Sequence, residues 1–136
     1  MVYWGCSALA TGHGSSAIHV ESKERRVLSY RSANGRFPYR QWRNSLNDQD
    51  TEVAVDVRIT RFNAGNFGDS RPIGGGAFES RIDFGPGYRI YFGTDGDEVI
   101  LLCGGDKATQ DADIARAKEH WKDYKRRNRA WKSQRR

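Results

Sequence analysis

Arg81 and Arg89 are the residues whose type and spacing first suggest chemistry. They lie eight positions apart, in two β-rich runs that are joined by Gly85-Pro86-Gly87. Because a short turn brings such runs side by side, both guanidinium groups are expected on neighbouring strands. Guanidinium forks suit the two-point recognition of phosphate oxygens. Lys107, just after the next strand, can add a third cation, so these residues predict a phosphate-binding site.

The basic charge of the chain is concentrated at its C-terminal end. Among 136 residues, 23 are Lys or Arg and 17 are Asp or Glu, which gives a net charge of +6. Residues 117–136 hold nine of the cations against two carboxylates, whereas residues 1–116 have a net charge of −1. A dense positive segment favours a polyanion partner, first of all nucleic acid, because phosphate contacts release condensed counterions. A solvated helix end that keeps the protein soluble is the alternative interpretation.

The elements that must position these residues form an α+β domain, predicted over residues 27–116. Capping residues, turn residues and apolar periodicity define its order of strand, two helices, three strands and a helix. The predicted elements are a strand at Val27–Arg31, a helix from Pro38, a helix capped by Asp48 or Asp50, strands at Ala77–Phe84, Tyr88–Gly93 and Glu98–Cys103, and a final helix capped by Thr109 or Asp111.

The same patterns predict which faces of these elements are buried. The second helix has two apolar stripes, Val53/Val57/Ala64 and Val55/Ile59/Phe62. In the strand Ala77–Phe84, residues alternate between an apolar face and a charged face. The run Val99–Cys103 shows no alternation, which is typical of a central strand that is buried on both faces. Gly104 and Gly105 are expected to end the sheet.

Two segments flank the predicted domain, an irregular N-terminal extension at residues 1–26 and a basic helix or tail at residues 117–136. No run approaches the roughly 20 apolar residues of a membrane-spanning helix, and no secretory signal is recognisable. Cys6 and Cys103 lie far apart, outside any Cys/His cluster of metal-ligand spacing. The sequence therefore predicts a soluble intracellular protein without a metal site or cofactor.

The segment from Gly65 to Ala117 resembles RelE/ParE toxins of type II toxin–antitoxin modules, closest to the HigB-like branch called addiction module killer proteins. The resemblance implies the RelE-like fold, a small antiparallel sheet of about four strands with helices packed on one face. It extends loosely over residues 27–125 and departs at Ser80, where a long apolar residue is expected. The motifs that carry it are Gly65-Asn66-Phe67-Gly68-Asp69, Arg71-Pro72, the run from Arg81 to Tyr91, the run from Leu101 to Lys107, and Thr109-Gln110.

Members of the wider family mostly cut mRNA on the ribosome, which requires attack of the RNA 2′-hydroxyl on the adjacent phosphorus. In that reaction Arg81 and Arg89, joined by Lys107, would stabilise charge on the phosphate. Tyr88 and Tyr91 can stack on RNA bases; they point to opposite faces, and Tyr91 is expected to be exposed beside the arginines. Further RNA contacts are expected from Lys118, Lys122, Lys125 and Arg126.

The general base of such a reaction cannot be a histidine of the domain body, because residues 27–116 contain none. His13 and His19 lie in the extension, and His120 lies in the final helix, where it is expected to be exposed. Asp83, Glu79 or a lysine would have to remove the 2′-proton. Some family ribonucleases are thought to act without a histidine, relying on the ribosome to orient the RNA.

The resemblance leaves three functions open. The first is a ribosome-dependent mRNA endonuclease in the cytoplasm, with ribosome and mRNA as partners. The second is a gyrase-binding poison without catalytic residues, which the missing histidine favours. The third is a nucleic-acid-binding relative without toxicity. Whichever function holds, the resemblance implies a cognate antitoxin, commonly a helix-turn-helix DNA-binding protein.

Overall fold

The computed structural model describes residues 24–134, with side chains placed as far as residue 130. That range contains five strands, three helices and one short 3-10 turn. In chain order these are β1 (Arg26–Ser29), α1 (Pro38–Ser45), α2 (Gln49–Asn63), β2 (Asp69–Gly74), β3 (Ala77–Ile82), β4 (Tyr88–Asp95), β5 (Glu98–Asp106), the 3-10 turn (Lys107–Thr109) and α3 (Gln110–Gln134).

The five strands form one mixed sheet in the order β1-β5-β4-β3-β2. β1 runs parallel to β5, and the other neighbours are antiparallel. The α+β class is confirmed, but the expectation of about four antiparallel strands is wrong. β2 was missed because Pro72 and two charged residues give it a poor strand pattern, which an edge strand tolerates. The direction of β1 escaped prediction because no hairpin joins it to β5.

Helices cover both faces of the sheet, which corrects the expectation of helices on one face. α1 and α2 contribute to a core that includes Tyr39, Phe62 and Phe92. α3 lies on the opposite face and forms a second core with Tyr91 and Leu102. The strand face predicted to be charged and solvated is therefore partly covered, because α3 begins beside it.

Helix α2 buries one of its two predicted apolar stripes. Asp48 caps the helix and accepts a hydrogen bond from the Thr51 amide at 3.0 Å. Val55 and Phe62 are fully buried, whereas Val53 and Val57 are 53% and 45% exposed. The Val53/Val57/Ala64 stripe was also expected to be buried and is not, since a helix on a sheet turns only one stripe toward the core.

Strand β5 is buried along Val99–Cys103, as predicted, and it is an interior strand between β1 and β4, whereas β4 is the central one. The strand also continues through Gly104 and Gly105 to Asp106, where the sequence had indicated its end. A methyl group at Gly104 would overlap the Trp42 ring, and one at Gly105 would overlap the Asp113 carboxylate. These glycines are close-approach positions inside a strand, and not the turn that their clustering suggested.

Helix α3 is one continuous element of 25 residues, so the boundary drawn by charge at residue 117 falls inside it. Ala117 and Trp121, beyond that boundary, are part of the core. A methyl group at Gly93 of β4 would lie 2.5 Å from the Trp121 ring, so only glycine fits under it. No helix among residues 24–134 is both long and apolar enough to cross a membrane. Most of the predicted extension, residues 1–23, lies outside the described residues.

Candidate nucleic-acid interface

Arg81 and Arg89 lie directly opposite each other on β3 and β4. The register places both on the side of the sheet that α3 covers, because Glu79 and Tyr91 pair two positions away on the same face. Side chains opposite each other in an antiparallel pair have Cβ atoms about 5 Å apart, and two like charges there repel. The pair is therefore stable only with carboxylates close by.

Asp69 supplies one of those carboxylates. It faces Arg81 from β2, and its Oδ2 atom accepts a hydrogen bond from Arg81 Nε at 2.9 Å and lies 2.9 Å from Nη2 in the same ion pair. The two side chains are 62% and 55% exposed, so water reaches both partners. Arg81 is thus an accessible cation whose present partner is a surface carboxylate.

Glu79 supplies the other carboxylate and lies at the centre of a polar cluster. Its Oε1 atom accepts from Arg71 Nε at 2.8 Å, and its Oε2 atom accepts from Gln110 at 2.8 Å and from the Tyr91 hydroxyl at 3.1 Å. Arg89 Nε lies 3.5 Å from Oε2. Gln110 is the first residue of α3, so Glu79 connects three strands to the start of the helix.

The electrostatics of this cluster keep Glu79 ionised. Burial raises the pKa of Glu79, but hydrogen bonds from Arg71 and Gln110 outweigh burial, so the pKa lies below its usual value. The carboxylate is only 2% exposed and has its acceptor positions filled. Glu79 is therefore unsuited to act as a general base, although the sequence left that role open for it.

Arg89 and Tyr91 are less accessible than the sequence analysis assumed. Arg89 is 6% exposed, and its Nη1 donates to the Gly87 carbonyl at 3.3 Å. Tyr91 is fully buried, so the expectation that it is exposed beside the arginines is wrong. Burial and the neighbouring Glu79 carboxylate raise the pKa of Tyr91. Because α3 packs over this part of the sheet, Tyr91 faces the second core and cannot stack on a base.

Tyr88 and Lys107 lie near one end of the sheet. Tyr88 is half-buried and packs against the core of α1 and α2, on the face opposite to Arg81. Lys107 is exposed and directly follows Asp106, the residue that pairs with Tyr88. The structure thus brings Lys107 to the end where the strand of Arg89 begins, and separates Tyr88 from the arginine face.

The cations of α3 form a stripe along one side of the helix. Lys118, Lys122 and Lys125 are exposed at helical spacing, and Arg129 continues the series. None of the four has an ion pair among the described residues. Arg126, which the sequence analysis included, pairs instead with Asp123. The spacing of three and four residues could have identified Arg129, since it marks one helix face.

Three further polar residues bear on the chemistry. His120 is half-buried and stacks on Tyr30 at 4.8 Å, and burial together with Arg116 lowers its pKa, so the expectation of an exposed histidine is wrong. Asp83 is exposed, one residue beyond the end of β3. Ser80 is fully buried, accepts from Arg58 Nη1 at 2.8 Å and donates to the Phe67 carbonyl at 2.7 Å.

Metal ligation is not suggested by the part of the chain that the structure describes, which holds no group of three or more His, Cys, Asp or Glu side chains suited to an ion. Cys103 is a free, buried thiol, and burial followed by the Asp113 carboxylate raises its pKa to about 12. A thiol of this kind is inert as a nucleophile. Cys6, His13 and His19 lie outside the described residues.

Comparison with known proteins gives one relative. The chain is 49% identical to an uncharacterized protein of Haemophilus influenzae over 78 residues, which are 57% of this chain and 79% of the relative. No protein-family model matches the chain, and no solved structure matches it.

Proposed function

The chain belongs to the same protein family as this Haemophilus influenzae relative, and we propose that it is the toxin of a type II toxin–antitoxin module. We assign it to the RelE/ParE superfamily, HigB-like branch, with a RelE-like fold. Its activity is ribosome-dependent cleavage of mRNA, which stops translation. The observation that carries the proposal is the cross-strand pair of Arg81 and Arg89 on the face that α3 partly covers.

The accessible cations support RNA as the target. Arg71 and Arg81 are 60% and 55% exposed, and the Lys118–Arg129 stripe projects from the helix on the same side of the sheet. RNA backbones are held mainly by such contacts, which require no particular base sequence. The motifs that carry the resemblance lie between the end of α2 and the first turns of α3, and they include Arg71, Arg81 and Arg89 of the arginine face.

In the proposed reaction the RNA 2′-hydroxyl attacks the adjacent phosphorus and the 5′-oxygen leaves. Arg81 contacts the phosphate and offsets its growing negative charge, after exchanging Asp69 for a phosphate oxygen. Arg89, which is buried and paired with Glu79, adds positive potential beneath the protein surface beside Arg81 and fixes the position of β4. Lys107 stands at the end of the sheet to contact a neighbouring phosphate. Asp83 is the exposed carboxylate available to take the 2′-proton. An exposed lysine ammonium can give a proton to the departing 5′-oxygen, and the other RNA fragment keeps a 2′,3′-cyclic phosphate.

A gyrase-binding poison is the second candidate. It is favoured by the engagement of Arg89 and Glu79 in buried contacts and by the half-buried position of His120. Such a poison acts by protein contact alone and needs no accessible base. The cationic stripe would then contact DNA or an acidic surface of the enzyme.

Controlled expression in a bacterial host tests the proposal. Wild-type protein is expected to arrest growth, whereas Arg81→Ala relieves the arrest because it removes the accessible phosphate contact. Arg61→Ala is the matched control, since Arg61 is an exposed arginine on α2, across the sheet. Its loss should leave the arrest unchanged.

The mode of arrest separates the candidates. An mRNA endonuclease reduces incorporation of labelled amino acids within minutes and leaves plasmid supercoiling intact. A gyrase poison instead changes plasmid supercoiling before it affects amino-acid incorporation. It also traps cleaved DNA in a reaction without ribosomes. A protein that slows neither growth nor synthesis would be the non-toxic relative. We expect the first result, and neutralisation by a helix-turn-helix antitoxin from the same module.

A further inference from the structure

We propose that the Gly74–Gly76 turn between β2 and β3, together with Lys118, Trp121 and Lys125 of α3, forms a binding subsite for one phosphate group. The subsite is separate from the Arg81–Arg89 pair. In assigning the phosphate to an RNA backbone, the inference rests on the proposed function. An RNA backbone and free inorganic phosphate both present a tetrahedral phosphate group, so inorganic phosphate is the alternative ligand.

Three nitrogen donors approach this turn from the helix. A methyl group at Gly74 would lie 3.1 Å from Lys118 Nζ, and one at Gly76 would lie 3.0 Å from Trp121 Nε1 and 3.8 Å from Lys125 Nζ. Lys125 Nζ also donates to the Gly75 carbonyl at 3.2 Å. The three side chains follow each other at i, i+3 and i+7, so they lie on one helix face.

The Trp121 indole is the most informative of these donors. Its side chain is only 5% exposed, and its N–H makes no hydrogen bond to another described residue. The indole nitrogen is not among the fully buried, unpaired polar atoms of the described residues, so it reaches solvent beside the turn. A ligand oxygen beside Gly76 can therefore replace water as the acceptor of this N–H.

The three glycines make that space available. All three adopt positive φ angles, of 100°, 68° and 90°, and all are exposed. Side chains would be strained at such angles, and the first atom of a side chain at Gly74 or Gly76 would fill the region that the donors surround. The glycine run therefore keeps the approach to the three donors open.

The charge at the turn selects an anion of high charge density. Lys118 and Lys125 have no carboxylate partner among the described residues, which leaves two positive charges within reach of one ligand. A phosphate group has several strong acceptor oxygens and matches two ammonium groups and one indole N–H. The Arg81–Arg89 pair, by contrast, already has carboxylates beside it.

The test is ¹H–¹⁵N NMR of the full chain, which reports the Trp121 indole N–H directly after triple-resonance assignment. A short oligouridine RNA and inorganic phosphate are titrated in separate arms. We expect the Trp121 indole signal to move with RNA, and a response to inorganic phosphate alone would support the subsite with free phosphate as its ligand. The result that would overturn the subsite is an indole signal that moves with neither titrant.

Paired variants measure the contribution of the subsite to binding. Lys118→Ala with Lys125→Ala should weaken RNA binding about tenfold and lower the slope of log affinity against log salt by about 0.7 for each phosphate lost. Arg40→Ala with Arg61→Ala removes the same charge from the helices on the opposite face of the sheet and should leave the indole response intact. Equal loss of the response in both pairs contradicts the subsite. If the protein cleaves RNA normally but the Trp121 indole signal does not move, only the subsite is rejected. If the protein is not toxic but the indole signal moves, only the proposed function is rejected.

Discussion

Asp69 lies opposite Arg81 across β2 and β3 and holds its guanidinium through a single carboxylate oxygen, with both nitrogens at 2.9 Å. This pair is exposed, whereas Glu79, two residues along β3, is buried beneath Arg71 and Arg89. The two carboxylates therefore differ in what a ligand can displace. An exposed ion pair contributes about 0 to 1 kcal/mol, so a phosphate can exchange with Asp69 at little cost.

Replacing Asp69 should strengthen RNA binding. We expect Asp69→Asn to raise affinity by up to about fivefold, since Arg81 no longer has to leave a carboxylate partner. The measurement is fluorescence anisotropy with a short single-stranded RNA. Asp50→Asn is the matched control, because Asp50 is an exposed carboxylate of α2, across the sheet, and has no ion pair among the described residues. Equal gains in both variants would mean that Asp69 acts only through net charge.

Glu79 should make the protein sensitive to acid. The pKa of Glu79 lies below its usual value of 4.5, so its stabilising contribution is complete above that pH and is lost as pH falls through the lower folded value. Glu79→Gln leaves Arg71 and Arg89 without their charge partner and should cost about 3 kcal/mol near neutral pH.

Thermal unfolding across this pH range checks the assignment. The difference in Tm between wild type and Glu79→Gln should shrink as pH falls below 4.5. Glu119→Gln, at an exposed carboxylate of α3, should leave the pH profile unchanged. If the Tm difference between wild type and Glu79→Gln is the same at every pH, Glu79 stabilises the fold through its packing and not through its charge.

Arg126 and Arg129 should differ in their effect on RNA binding although both are exposed arginines of α3. Arg126 is paired with Asp123, which still has Arg127 beside it. Arg129 continues the unpaired stripe. We expect Arg129→Ala to lower the slope of log affinity against log salt by about 0.7, and Arg126→Ala to change it less. Identical slopes for the two variants would indicate that RNA binding depends on the total charge of the basic helix and not on which side of the helix each arginine lies.

Ser80 should stabilise the fold in spite of its polarity. Its hydroxyl joins Arg58 of α2 to the Phe67 carbonyl inside the protein. Ser80→Ala removes one partner from each group, while Arg58 keeps the Arg81 carbonyl and the Phe67 carbonyl keeps the Ser70 hydroxyl. We therefore expect a loss of about 1 kcal/mol in the free energy of unfolding. Chemical denaturation measures it, with Ser45→Ala at an exposed position as the control. An unchanged unfolding free energy in Ser80→Ala would show that water replaces the hydroxyl.

Local sequence patterns predicted the elements whose determinants are local. The Asp48 cap, the start of α1 at Pro38 and the burial of β5 follow from residues within each segment, and all are present. β2 was missed because an edge strand with one buried neighbour needs few β-forming residues. The parallel pairing of β1 was missed because strand direction depends on contacts that are distant in sequence.

The sequence predicted that Arg81 and Arg89 lie together in the candidate site, but it did not predict how deeply the residues of the site are buried. Alternation along β3 and the turn before β4 correctly brought Arg81 and Arg89 together. Burial of Arg89 and Tyr91 depends on where α3 crosses the sheet, and no local pattern specifies that crossing. Trp121 shows the same limit, since its periodicity predicts a core residue and only the structure directs its indole N–H toward Gly76.

Primer extension on an mRNA translated by purified ribosomes tests the central claim most directly. Wild-type protein should produce discrete cleavage ends only when ribosomes are present, and Arg61→Ala should do the same. Arg81→Ala should reduce the initial rate about 100-fold without loss of folded protein, as expected when one stabilising contact to the transition state is removed. Intact mRNA with wild-type protein, or full cleavage by Arg81→Ala, would contradict the assignment.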